Sequence, residues 1–311
     1  MSESKLKLED LISNVAKTND QDRIENVAII GAGLMGQGIA QTIAGAGFEV
    51  TVVELNDDLI ETAKNSMENT MKREIARWAM TGSEMKSVMS RIKFSTNLDD
   101  AKDAELVIES INEDVKAKQE LFSKLDELVQ EKAVFVTNTS SLGLGDISSK
   151  ITRKDKFIGM HFLSPVPKIP LIEVIKDFHT SDNTLEVIKA FAKSIKKTAV
   201  EVFEYPGFIT TRAIVPMLNE AMHIYLEGLA SAEDIDTAMK LGYNFNIGPL
   251  ALADHIGLDE VLGWMDTLWQ TLGETRFRPC PLLRRLVRER KLGVKTGEGF
   301  FKYDEDGKVI A

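Results

Sequence analysis

The sequence predicts an α/β fold with a mostly parallel sheet, followed by an all-helical C-terminal domain. Three observations carry this. Short apolar runs alternate with helical patterns over the first two thirds of the chain, which requires crossover connections and so parallel strands. A glycine-rich turn, Gly31-Ala32-Gly33-Leu34-Met35-Gly36, joins the first apolar run to the first of these helices. After Tyr205-Pro206-Gly207 the strand-like runs stop and helical patterns follow.

The elements can be justified in order. Residues 1–24 read as an N-terminal arm, with Leu6, Leu8, Leu11, Ile12 and Val15 at roughly helical spacing. Asn26-Val27-Ala28-Ile29-Ile30 is apolar enough for a buried strand, 35–45 has a helix pattern, and 49–54 reads as a second strand. The stretch 57–91 is helical and rich in Lys, Arg and Met, so it is expected to form a helix–turn–helix arm around Gly82. Further strands are expected at 104–109, 133–137, 157–163, 171–175 and 199–203, with helices at 115–129 and 184–196. Beyond 205 the helical patterns cover 212–227, 232–240, 250–265 and 281–289. Ser231, Asp254 and Asp259 fall near expected helix starts, where a side-chain oxygen accepts from free N–H groups. The expected domains are 25–205 and 206–311.

Composition narrows the function. At 311 residues the chain has room for about two domains and needs no staples to hold a core. Its net charge of −10 argues against a nucleic-acid binder, which needs a basic face, but leaves room for an anionic small ligand in a local pocket. A lone cysteine, Cys280, excludes an intrachain disulfide and a multi-cysteine zinc site; it reads as structural, and no metal is expected. The first 23 residues mix Glu, Asp and Lys without an apolar core, unlike a secretory signal or an acid-poor transit peptide. No stretch approaches the roughly 20 apolar residues that span a bilayer. A cytoplasmic protein that does not engage membranes is expected.

The glycine turn has a mechanism. Gly31 permits the tight turn, Gly33 lets backbone approach a pyrophosphate, and Gly36 lets helix and strand pack closely. The helix N-terminus adds oriented N–H groups and partial positive charge. Together these give a Rossmann-like dinucleotide site. Glu54, at the end of the second strand, suits both ribose hydroxyls and repels a 2′-phosphate, and Leu55 and Asn56 offer no Arg to hold one. The cofactor predicted is NAD.

Alcohol oxidation needs a base. His179, His223 and His255 sit in contexts that read as structural. His161 ends the run from Phe157, at an edge where an open sheet binds ligands. Glu173 follows in Leu171-Ile172-Glu173-Val174, where a buried charge needs a partner. Two readings fit: a base with its orienting carboxylate, or a buried ion pair. Thr137-Asn138-Thr139-Ser140-Ser141 closes another strand, and its hydroxyls suit either a substrate oxygen or a helix cap.

These residues resemble the L-3-hydroxyacyl-CoA dehydrogenase family, in particular its bacterial 3-hydroxybutyryl-CoA branch. The likeness runs in order from about 25 to 305. It includes Gly31 to Gln41, Asn138-Thr139-Ser140-Ser141, Gly159-Met160-His161-Phe162, Pro165-Val166-Pro167, Glu173-Val174 and Pro206-Gly207-Phe208-Ile209. It also includes Asp234 to Met239, Gly248-Pro249-Leu250, Leu282-Leu283 and Lys295 to Phe300.

The resemblance implies a Rossmann-like domain and a helical substrate domain that dimerises. It also implies hydride transfer between C3 of a short-chain acyl-CoA and NAD. By the same likeness His161 is the base, Glu173 orients it, and Ser140 bonds the substrate oxygen and the cofactor. Glu113, Lys118 and Lys295 match cofactor-contacting positions, beside Gly31, Gly33, Leu34, Met35, Gly36, Glu54 and Ser164.

There are departures. Thr211 and Ser164 each stand where the family usually has Asn, and Lys168-Ile169-Pro170-Leu171 replaces a Met-Lys-Leu-type text. The last is closer to relatives that oxidise free hydroxy acids, such as carnitine or gulonate dehydrogenases. A non-catalytic NADH-binding relative is a third reading. Lys64, Lys72, Arg73 and Arg77 either meet CoA phosphates or form a solvated helix face.

Overall fold

The computed structural model describes residues 24–305 and 307–310, so the N-terminal arm, up to residue 23, lies outside the described residues. The chain forms two compact units. One comprises residues up to Asn138 together with Leu144–Glu201, the other Thr139–Gly143 together with Val202 onward.

The first unit is built on eight strands. They are β1 (Asn26–Ile30), β2 (Glu49–Val53), β3 (Ile92–Ser95), β4 (Leu106–Glu109), β5 (Val134–Thr137), β6 (Phe157–Phe162), β7 (Leu171–Lys176) and β8 (Thr198–Phe203). Their order is β3-β2-β1-β4-β5-β6-β7-β8. The pairs from β3 through β6 are parallel, and β6–β7 is antiparallel. Every residue of β4, β5 and β6 is buried. That is why these strands read as continuous apolar runs rather than alternating ones.

Helices α1 (Leu34–Gly45), α2 (Asp57–Ala76), α3 (Gly82–Ser90) and α4 (Val115–Leu128) connect the strands through β5. A short α5 (Leu144–Ile147) follows β5, and α6 (Asp182–Ser194) joins β7 to β8. The arm after β2 is a helix pair as expected. Asn56 caps α2, and a capping box between Thr81 and Glu84 starts α3, so Gly82 is the first residue of the second helix. The edge strand β3 escaped the sequence reading, because Ile-Lys-Phe-Ser is too short to show a period.

The second unit packs α7 (Thr210–Leu226), α8 (Ala232–Tyr243), α9 (Pro249–Ile256), α10 (Leu258–Leu272) and α11 (Pro281–Arg288). Val215, Leu218, Met222, Leu250, Val261, Met265 and Leu283 form its core with Cys280, which is buried.

Three expectations fail here. The helix at 250–265 is two helices, broken at Gly257, whose φ of +106° disfavours any residue with a Cβ. Asp254 caps nothing: it lies late in α9, fully buried, and accepts from Phe300 N, Phe301 N and the Tyr303 hydroxyl. Strands also do not stop at 205, since Lys302–Tyr303 and Val309–Ile310 form an antiparallel pair (β9, β10) too short to leave an alternating signal. Ser231 does cap α8, and Asp259 lies in the first turn of α10.

Candidate active site

The glycine turn has one open side. A Cβ on Gly31 would lie 2.5 Å from Ser110 O, and one on Gly36 would lie 2.0 Å from Gly31 O. A Cβ on Gly33 would meet nothing within 4 Å. Gly31 and Gly36 are therefore closed by the protein itself, whereas Gly33 faces open space. No side chain caps α1 at Gly33, and its first turn holds no acidic residue. Its leading N–H groups and the positive end of its dipole thus suit an anion. Leu34 is exposed and Met35 half-buried beside this turn.

The Glu54 carboxylate accepts from Ala32 N and Leu55 N, each at 2.7 Å, which ties it to the glycine turn. A carboxylate has about four acceptor positions, so both oxygens keep capacity for ribose hydroxyls. The donor set and the open glycine fit a dinucleotide with an unphosphorylated ribose.

His161 and Glu173 sit directly opposite each other in the antiparallel β6–β7 pair. The Nδ1···Oε2 distance is 2.7 Å, with the residues 5% and 1% exposed. Antiparallel pairing, the one departure from parallel order in the fully registered part of the sheet, is what brings them face to face. With Nδ1 held by the carboxylate, proton exchange falls to Nε2, and the carboxylate balances the charge that then appears. Asn138 Oδ1 accepts from Phe162 N at 3.0 Å, tying the end of β5 beside the histidine.

The loop after β6 carries Ser164, which is exposed. Lys197 fixes this loop by donating to Val166 O and Ile169 O, each at 2.5 Å, and burial pushes its amine below the usual lysine range. The same loop packs on α1, where Gly38 leaves only 3.0 Å between an added Cβ and Val166 Cβ.

A third cluster lies at the carboxyl end of β4. Lys118, fully buried, donates to Glu109 Oε1 and Oε2 at 2.8 and 2.9 Å, and pairs with Glu113 at 3.0 Å. Glu109 also accepts from Ile111 N and from the Thr137 hydroxyl. Sequence reasoning named Glu113 and Lys118 but missed Glu109. The signal was available: a carboxylate closing the apolar run Leu106-Val107-Ile108, the same logic that found Glu173.

Ser140, Thr211 and Lys295 belong to the second unit. Ser140 is half-buried, and its neighbour Thr139 accepts from Leu142 N in the turn before α5. Thr211 is buried in the first turn of α7. Lys295 is exposed and ion-paired with Asp259.

Two other histidines have local partners: His179 faces Asp177, and His255 Nδ1 lies against Ala251 O. In α2, Lys72 pairs with Glu68 and Lys64 lies over the Phe94 ring. Among the described residues no group of His, Cys, Asp and Glu could hold a metal, and no helix is long and apolar enough to cross a membrane.

Comparison with known proteins identifies relatives of the whole two-unit chain. Residues 26–205 match the family model for the NAD binding domain of 3-hydroxyacyl-CoA dehydrogenase, and 207–303 match that for its C-terminal domain. A probable 3-hydroxybutyryl-CoA dehydrogenase of Bacillus subtilis is 44% identical over 282 residues, 91% of this chain and 98% of the relative. Human mitochondrial hydroxyacyl-coenzyme A dehydrogenase is 41% identical over 287 residues, 90% of this chain and 91% of the relative. The crystal structure of (S)-3-hydroxybutyryl-CoA dehydrogenase from Ralstonia eutropha superposes with a TM-score of 0.83 at 40% identity, covering 91% of this chain and all of that one.

Proposed function

The chain belongs to the 3-hydroxyacyl-CoA dehydrogenase family, and on that premise we infer its activity: NAD-dependent oxidation of an L-3-hydroxyacyl-CoA to the 3-ketoacyl-CoA, or the reverse reduction. The observation that carries the reading is the buried His161–Glu173 pair. His161 takes the hydroxyl proton at Nε2 in oxidation and returns it in reduction, while Glu173 fixes the ring and balances its charge. Bound NAD supplies the hydride acceptor. The uncapped start of α1 and the open face of Gly33 would receive its pyrophosphate, and Glu54 would accept its ribose hydroxyls.

By family likeness Ser140 donates to the substrate oxygen, and Thr211 supplies one hydroxyl where relatives carry an amide. Glu113, Ser164 and Lys295 are assigned to the cofactor. The substrate is a short-chain, 3-hydroxybutyryl-like thioester, supported by the names of the Bacillus and Ralstonia proteins. The same reading carries a homodimer and a cytoplasmic location. Exposed Leu226, Leu229, Leu241 and Tyr243 on the helical unit support the dimer, and the bacterial relatives support the location.

The test is NADH absorbance with purified protein and acetoacetyl-CoA, with free acetoacetate in parallel. Rapid loss of absorbance with the thioester alone supports the reading. Turnover of the free acid alone would move the chain to the hydroxy-acid dehydrogenases of the same architecture. Tight NADH binding without turnover of either would favour a non-catalytic relative.

A further inference from the structure

We infer that Lys197 is a positioning residue for hydride transfer. Its amine clamps the loop 163–170, and the clamp holds Ser164 and the end of the His161 strand in one place against the dinucleotide helix α1. This rests on the NAD-dependent activity proposed above.

The loop needs donors that it does not own. Pro165, Pro167 and Pro170 have no N–H, so three of the seven residues from Ser164 to Pro170 cannot donate. The N–H groups of Lys168 and Ile169 both turn back on Pro165 O, at 2.9 and 3.1 Å. The carbonyls of Val166 and Ile169 accept instead from Lys197 Nζ, each at 2.5 Å, and Pro170 O accepts from Thr198 N at 2.7 Å. Lys197 is 7% exposed, and among the described residues no carboxylate pairs with it. An ammonium buried without a counter-charge is costly, and burial pushes this amine below the usual lysine range. A solvated loop could leave the same carbonyls to water without that cost. Satisfying them is therefore a weak reason, by itself, to keep the charge inside.

The placement supplies a stronger one. β6 ends at Phe162, β7 returns with Ile172 opposite Phe162, and β8 starts at Thr198 beside Pro170. Lys197 and the loop thus lie at the carboxyl edge of the parallel strands, where an open sheet binds ligands. Val166 joins the two sides of the clamp. Its carbonyl accepts from Lys197, and its side chain packs where Gly38 of α1 has no Cβ. An added Cβ there would lie 3.0 Å from Val166 Cβ and 3.6 Å from Pro167 Cδ. Lys168 also pairs with Glu74 of α2 at 2.9 Å, but with 54% of the lysine side chain exposed such a pair contributes little. Lys197 is the buried tie. The loop continues the strand that carries the base and rests on the helix whose start faces the cofactor, so the clamp sets one relative to the other.

The test uses K197M, K197A and G38A in the whole chain. Methionine keeps the apolar stem and removes every donor. Reduction of acetoacetyl-CoA by NADH is measured well below each variant's thermal midpoint, and NADH affinity is titrated by fluorescence. The expected result for K197M is a loss of turnover of about 10–10²-fold, the scale of a misplacement of about one ångström. The loss should fall on kcat, with the KM for the thioester little changed. Ethylamine, which brings N–H donors, should restore part of the turnover of K197A, whereas potassium chloride at equal ionic strength should not. G38A, whose Cβ presses on Val166 from the α1 side, should lower kcat in the same way. A folded K197M with wild-type kcat would reduce the lysine to a structural support and overturn the inference. So would equal restoration of K197A by the amine and by the salt. Should both lysine variants fail to fold, G38A decides: wild-type kcat there would show that the seat of the loop on α1 does not matter to the reaction. If the wild-type protein binds NADH but does not reduce acetoacetyl-CoA, the activity reading fails on its own. NADH affinity then decides for Lys197, weaker binding in K197M supporting the clamp and equal binding overturning it.

Discussion

An imidazole whose Nδ1 is held at 2.7 Å by a buried carboxylate exchanges protons through its other nitrogen, and the carboxylate carries the balancing charge when it does. Glu173→Gln keeps an oxygen near the ring but removes that charge. Turnover of the hydroxyacyl substrate should fall roughly 10²–10⁴-fold while NADH affinity stays the same; equal turnover in the variant would reduce the pair to a structural contact. A buried carboxyl in the helical unit has a raised pKa. Burial pushes Asp254 up to about 6, against the pull of three hydrogen bonds from Phe300, Phe301 and Tyr303. A raised pKa means that the folded state holds a proton the unfolded chain releases. The associated stability is present below the ordinary value of 3.8 and is lost as pH rises through about 6. About two units correspond to about 3 kcal/mol. Denaturant unfolding of wild type and Asp254→Asn at several pH values should show the wild type losing ground to the variant between those limits. A difference that does not change with pH would contradict the raised pKa.

At the level of elements, α1 and the turn before it offer a separation of fold from function. Gly33→Ala places a methyl in open space, so the thermal midpoint should hold while NADH affinity falls, because the methyl occupies the approach to a bound phosphate. Gly36→Ala drives a Cβ to 2.0 Å from Gly31 O, and a backbone atom cannot swing aside. It should destabilise by about 1–3 kcal/mol or more and weaken NADH binding with it. Equal effects of the two substitutions on stability would contradict the open-face account. The same elements show what was legible in the sequence. The buried strands β4, β5 and β6 announce themselves as apolar runs because both faces are covered. β3 does not, since a four-residue edge strand with one buried residue has no period to read. The break between α9 and α10 hides inside a continuous helical pattern, because a single Gly257 is tolerated in many helices and only its φ of +106° betrays the turn.

For the molecule as a whole, the sequence made the glycine turn, Glu54, His161 and Glu173 legible as single residues in diagnostic contexts. Glu109 was not, because only the fold brings Lys118 and Thr137 around it from α4 and β5. Asp254 was misplaced for a related reason: its partners, Phe300, Phe301 and Tyr303, lie more than 40 residues downstream. A net charge of −10 places the burden of holding an anionic ligand on local features, and the uncapped start of α1 is one such feature. The proposed dimer is checked by sedimentation, where an active monomer at assay concentration would refute it. The central claim, that His161 is the base of an NAD-dependent 3-hydroxyacyl-CoA dehydrogenase, is tested most directly by comparing wild type with His161→Asn. NADH consumption would be followed on mixing with acetoacetyl-CoA, with NADH affinity titrated on the same preparations. The account predicts turnover lowered at least about 10²-fold at unchanged NADH affinity; turnover in the variant equal to wild type would contradict it.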